Sequence, residues 1–116
     1  MKNMKTYTGG CHCKAVRYEV ETDMEKVLTC NCSHCEAKGL LLNFVDKSKF
    51  KLLSGKERLS DYRFNKKAIR HLFCNLCGTE SFAEGVEFPK VAINVRCLDG
   101  IDITSLTLQP YNGKEY

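Results

Sequence analysis

The sequence predicts an all-β fold with at most one short helix, and three observations carry that reading. Apolar and polar residues alternate with period two over several short runs, the signature of half-buried strands. Helical signals are confined to a turn or two near residue 35. Seven of the eight cysteines fall in three tight clusters, as in a small domain stapled by metal.

The strands can be placed in chain order. In residues 15–21, Val16, Tyr18 and Val20 face one way while Arg17, Glu19 and Glu21 face the other. Residues 33–38 form the best helix candidate, closed by Gly39 as a C-terminal cap. The apolar run 40–45 reads as a strand. Residues 50–54 and 59–64 flank Gly55 and Lys56, which predicts a hairpin with Tyr62 and Phe64 turned to the core. Residues 68–74 carry Ile69, His71 and Phe73 on one side of a further strand. Val91, Ile93, Val95 and Cys97 then alternate with Ala92, Asn94 and Arg96. In the tail the alternation breaks at Thr104 and Ser105, and Pro110, Asn112 and Gly113 predict loop.

With 116 residues the hydrophobic core is modest, so metals help appreciably. Residues 1–116 read as a single zinc-binding domain, with no repeat, low-complexity stretch or linker. A hydrophobic fraction of 43% and a charged fraction of 28% exclude a disordered chain. The polar start lacks the apolar segment of a secretory signal, and no run is long enough to span a bilayer. The expected setting is therefore cytoplasmic and reducing, where clustered thiols act as metal ligands rather than disulfides. The pattern specifies no oligomeric state.

Zinc takes four ligands tetrahedrally, and two of them can come from one tight turn. Cys74-x-x-Cys77-Gly78 is such a knuckle, and Cys11-x-Cys13 supplies the two ligands it lacks. These four thiols predict a closed structural site contributing on the order of 10 kcal/mol to folding. His12, wedged between two ligands, should point outward. Cys30, Cys32 and Cys35 form a second group of three thiols. Three protein ligands with one open position is how catalytic zinc sites are built. The alternative is a second closed site completed by His34, His71 or Cys97. Cys97 shares the phase of Val91, Ile93 and Val95, which suits a buried apolar thiol.

These motifs resemble the glutathione-dependent formaldehyde-activating enzyme (GFA) family, which also includes centromere protein V-like domains. The resemblance is carried by Gly9-Gly10-Cys11-His12-Cys13 with Ala15-Val16-Arg17-Tyr18, by Cys30-Asn31-Cys32-Ser33-His34-Cys35, and by His71-Leu72-Phe73-Cys74-Asn75-Leu76-Cys77-Gly78-Thr79. Residues 94–99 are similar to the family's late strand. The resemblance implies an Mss4-like, β-rich fold with two Zn²⁺ ions, one structural and one catalytic. Residue by residue it assigns Cys11, Cys13, Cys74 and Cys77 to the structural ion, and Cys30, Cys32 and Cys35 to the catalytic one. It also implies carbon–sulfur lyase chemistry that joins formaldehyde to the thiol of glutathione. One departure is Glu36-Ala37-Lys38 after Cys35, where many members carry arginines.

The partner this implies is a small thiol such as glutathione, or its aldehyde adduct. Three thiolates on Zn²⁺ total −1, which suits sulfur better than activation of water. The rival reading is a non-catalytic zinc module that binds protein or nucleic acid. It would use Lys47, Lys49, Lys51, Lys56, Arg58, Arg63, Lys66, Lys67 and Arg70, which are spread over alternating strand positions and turns. The formal charge of +4 argues weakly for it, because seven metal-bound thiolates with two Zn²⁺ leave about +1. Solvated strand faces are the simpler account of these lysines and arginines.

Overall fold

Two β-sheets pack around Tyr18. The computed structural model describes residues 4–24, 26–31, 33–63, 69–86 and 89–111. The smaller sheet runs β1 (Lys5–Gly10), β2 (Arg17–Thr22), β5 (Phe50–Ser54), all antiparallel. The larger has the order β10 (Leu108–Tyr111), β3 (Val27–Cys30), β4 (Leu41–Asp46), β9 (Lys90–Asn94), β8 (Phe82–Gly85), β7 (Ile69–Cys74), β6 (Leu59–Tyr62). Only β10 pairs in parallel within it, against β3. The sole α-helix among the described residues, α1 (Ser33–Lys38), ends at Gly39 with φ of 66°. The predicted helix and its cap are thus found where the sequence puts them.

The alternation in β2 works as expected. Val16, Tyr18 and Val20 are fully buried and meet Val27, Val45, Leu72, Phe82, Val91 and Ile93 from the larger sheet. The Tyr18 ring stands 5.1 Å from that of Phe50 and 5.7 Å from that of Phe82, with Phe50 and Phe82 4.7 Å apart. Each such ring buries enough apolar surface to contribute about 2 kcal/mol. The Tyr18 hydroxyl donates to the Ser81 carbonyl at 3.0 Å, so the phenol enters the core with its polar tip satisfied.

A second apolar cluster lies on the other face of the large sheet. Cys35, Leu40, Leu42, Ala83 and Ala92 are buried there, with Cys30 and Ile69 packed against them. Strand β9 therefore sends Val91 and Ile93 to one cluster and Ala92 to the other. Covered on both faces, it reads as a near-continuous apolar run. Ala83 and Ala92 are register partners, and their small side chains leave room for Cys35 of α1.

Three expectations are corrected. Strands β5 and β6 exist but form no hairpin: β5 pairs with β2, whereas β6 pairs with β7 in the other sheet. Gly55 has φ of 88°, and the 3₁₀ turn Lys56–Arg58 follows it, carrying the chain from one sheet to the other. A Cβ at Gly55 would stand 2.3 Å from the Ala15 carbonyl oxygen, so glycine is required there on both counts. Tyr62 is 51% exposed rather than core, because β6 is the edge of its sheet; Phe64 lies outside the described residues. The tail forms β10, an edge strand in which Pro110 is tolerated because one side of the strand needs no ladder donor. Asn112 and Gly113 lie outside the described residues.

Candidate functional site

The amino-terminal and carboxy-terminal thiol pairs converge. Strand β1 delivers Cys11 and Cys13 on the turn into β2, and β7 ends at Cys74, with Cys77 on the turn that follows. The four sulfur atoms all lie within 4.8 Å of one another. Cys11 Sγ and Cys13 Sγ are 3.6 Å apart, as are Cys13 Sγ and Cys74 Sγ. Tetrahedral zinc with Zn–S bonds near 2.3 Å separates its sulfurs by about 3.8 Å, so this cluster fits the ion.

Local backbone geometry prepares it. Val16 N–H donates to Cys11 Sγ at 3.3 Å, and Leu76 N–H to Cys74 Sγ at 3.4 Å. Gly78 adopts φ of 80°, letting its N–H close the turn on the Cys74 carbonyl at 2.8 Å. His12 is exposed, as its position between two ligands requires. Burial pushes the Cys77 thiol up, but hydrogen bonds from the Thr79 side chain and backbone outweigh it and bring the thiol down to about 5. A backbone hydrogen bond with Ala15 favours the Cys13 thiolate, yet burial and the neighbouring thiols push Cys13 up to about 11. Four thiols crowded together cannot all ionise without a cation; a divalent ion removes that conflict.

The central cysteines are arranged differently. Cys30 ends β3 half-buried, and Cys35 is buried on α1; Cys32 lies outside the described residues. Cys30 and Cys35 both line an open cleft of about 500 Å³, together with Leu40, Tyr111, Glu36 and Arg96. Arg96 Nε donates to the Gly39 carbonyl at 2.9 Å, which anchors the side chain across the end of α1. Cys97 is not in the strand its phase suggested. The chain leaves β9 in a 3₁₀ turn, Val95–Cys97, and Cys97 is only partly buried. Burial first, then the charges of Cys11 and Cys77, push its thiol up to about 11, so it stays protonated beside the four-thiol cluster.

His34 and His71 both reach Glu80. His34 Nε2 lies 2.7 Å from Glu80 Oε1, and His71 Nδ1 lies 3.3 Å from Glu80 Oε2. The Glu80 side chain is 2% exposed, and Lys38 Nζ approaches it to 3.4 Å. Burial favours the protonated acid, but the two imidazoles outweigh it and hold Glu80 below the usual carboxylate range. Glu80 was not legible as a site residue, since nothing in its spacing ties it to His34 across 46 positions. Its only signal was a lone acid placed between the zinc knuckle and an apolar strand.

Several of the basic residues are paired with acids on the surface. Lys49 meets Glu21, and Arg63 and Arg70 both meet Asp61. This supports solvated faces over a nucleic-acid stripe; Lys66 and Lys67 lie outside the described residues. Among the described residues no helix is long and apolar enough to cross a membrane.

Comparison with known proteins places the chain beside a family and a solved structure. The family model described as glutathione-dependent formaldehyde-activating enzyme matches residues 6–111. A crystal structure of a Rhodobacter sphaeroides protein superposes with a TM-score of 0.81 at 30% sequence identity, covering 90% of this chain and 99% of that one.

Proposed function

The chain belongs to the glutathione-dependent formaldehyde-activating enzyme family, and we propose that it handles adducts of a small thiol with a small aldehyde at a zinc ion held by Cys30, Cys32 and Cys35. The observation that carries this reading is the cleft of about 500 Å³ lined by Cys30 and Cys35, a volume that suits a small peptide thiol. The companion cluster of Cys11, Cys13, Cys74 and Cys77 is the structural staple, and residues 1–116 act as one domain. Free cysteines throughout the described chain suit a reducing, cytoplasmic setting.

A zinc ion held by three thiolates supplies one open position that stabilises the thiolate form of an incoming thiol. The chain's own groups do the rest. Arg96, held by the Gly39 carbonyl, presents its remaining guanidinium donors to a substrate carboxylate. Glu36, exposed at the same cleft, meets a substrate ammonium, which accounts for an acid where relatives carry arginines. Leu40, Leu41 and Pro110 give the cleft apolar walls that limit water around the sulfur. In the forward direction a carbon–sulfur bond forms between thiolate and aldehyde carbon, and the proton lost by the thiol ends on the carbonyl oxygen. No redox partner is needed.

Zinc content by elemental analysis tests this on the parent, Cys32→Ser and Cys77→Ser, with glutathione titrated into each. Two tightly held zincs in the parent, one in a folded Cys32→Ser protein, and thiol binding lost in that variant would uphold the reading. A Cys32→Ser protein that unfolds as badly as Cys77→Ser, with a parent indifferent to thiols, would make both metals structural.

A further inference from the structure

We propose that His34, His71 and Glu80 form a third, cysteine-free metal site that takes a borderline divalent cation such as Zn²⁺, Co²⁺ or Fe²⁺. One ligand atom from each residue lies within 4.8 Å of the others. The donors come from three places in the fold: the first turn of α1, strand β7, and the link from the zinc knuckle to β8. Two imidazoles with one carboxylate is the donor set of many three-ligand zinc sites and of non-haem iron centres.

The distances suit that use. With metal–ligand bonds near 2.1 Å, adjacent ligand atoms on a tetrahedral ion stand about 3.4 Å apart. His34 Nε2 lies 2.7 Å from Glu80 Oε1 and His71 Nδ1 lies 3.3 Å from Glu80 Oε2, so each imidazole faces its own carboxylate oxygen and a small outward shift of His34 opens the space between them to an ion. The two imidazole rings are 4.1 Å apart between centroids, both with a ring nitrogen aimed at the same carboxylate. An ion-pair strut would need one cation for one carboxylate, and Lys38 provides it. The second and third basic groups are surplus to charge balance but complete a chelate.

Lys38 is the feature that makes the site conditional. Its ammonium lies 3.4 Å from Glu80 Oε1, where it competes with a cation. The side chain is 36% exposed and its Nζ sits 5.4 Å from the Phe73 ring centroid, so it can retreat to the surface while keeping a cation–π contact. The Tyr62 ring stacks near His34, with centroids 5.6 Å apart. Because His34 is the sequence neighbour of Cys35, a cation here stiffens the helix that carries the central cysteine motif and adds positive charge beside it. None of this depends on thiol-adduct chemistry.

The chain has three histidines, and His12 is exposed, so it serves as an internal control. Zn²⁺ titrated into the zinc-replete protein should move the His34 and His71 imidazole ¹⁵N resonances together, saturating at one added equivalent, while His12 stays still. Equilibrium dialysis with Co²⁺ should show the same extra equivalent without thiolate-to-cobalt charge-transfer absorption. Glu80→Gln should weaken it at least tenfold. Lys38→Met, which should leave the fold intact, should tighten it severalfold; in a plain ion-pair strut it would only loosen the cluster. An unmoved His34 and His71, movement of His12 alone, or an extra equivalent unchanged in both variants overturns the assignment. Loss of thiol binding in Cys32→Ser bears on the adduct chemistry and leaves this result untouched.

Discussion

Cys13 Sγ and Cys74 Sγ lie 3.6 Å apart although 61 positions separate them in sequence. The contact joins the turn after β1 to the end of β7, so a metal held by the four thiols would bridge the two sheets. Neither pair of thiols alone could hold an ion, and neither sheet alone buries Tyr18.

The first prediction concerns that staple. A structural zinc contributes on the order of 10 kcal/mol, comparable to the whole stability of a small domain. Cys74→Ser is therefore expected to be unfolded at 25 °C by circular dichroism, and a strong chelator should unfold the parent. A Cys74→Ser protein that melts like the parent would remove the structural role.

What was legible in the sequence was whatever short spacing encodes. Val16, Tyr18 and Val20 declare a buried face by alternation, Gly39 declares the end of a helix, and Cys74-x-x-Cys77 declares a knuckle. What long-range packing decides was not legible. Gly55-Lys56 reads as a hairpin turn, yet the backbone of Ala15 and Val16 lies against Gly55 and the chain passes to the other sheet. Pro110 reads as loop because the edge position that tolerates it depends on β3, some 80 positions earlier. Glu80 gains its meaning only once α1 brings His34 onto β7.

Tyr18 predicts an alkaline limit. Burial, then the charge of Cys97, raises its phenol far above 10, against a smaller opposing effect of Arg17. The unfolded chain ionises this tyrosine from about pH 10 while the folded one resists, so stability is full below pH 10 and falls above it. The slope approaches 1.4 kcal/mol per pH unit from this group. Tyr18→Phe should cost about 1 kcal/mol at pH 7 by losing the bond to the Ser81 carbonyl, and should flatten the alkaline decline in urea-midpoint measurements. An unchanged pH profile would show that Tyr18 does not set it.

Ser81 predicts a gain. Its side-chain hydroxyl is buried without a hydrogen-bond partner among the described residues, even though its carbonyl accepts from both Tyr18 and Asn94. Ser81→Ala removes the unpaired hydroxyl and keeps the backbone bonds. Stability should rise by about 1 kcal/mol, a melting-temperature increase of about 4 °C. A fall of the same size would mean that the hydroxyl is satisfied in solution.

Arg96 predicts selectivity at the cleft. Its Nε is engaged by the Gly39 carbonyl, and the fork beyond it lines the same cleft as Cys30 and Cys35, where it can grip a carboxylate. Arg96→Met should raise the Kd for glutathione about tenfold, which is about 1.4 kcal/mol. Binding of 2-mercaptoethanol, which has no carboxylate, should change little, because the sulfur position is untouched. Equal weakening of both thiols in paired titrations would mean that Arg96 only braces the end of α1. The comparison separates the two roles because bracing acts on every ligand of the central cysteines, whereas charge pairing acts only on the anionic one.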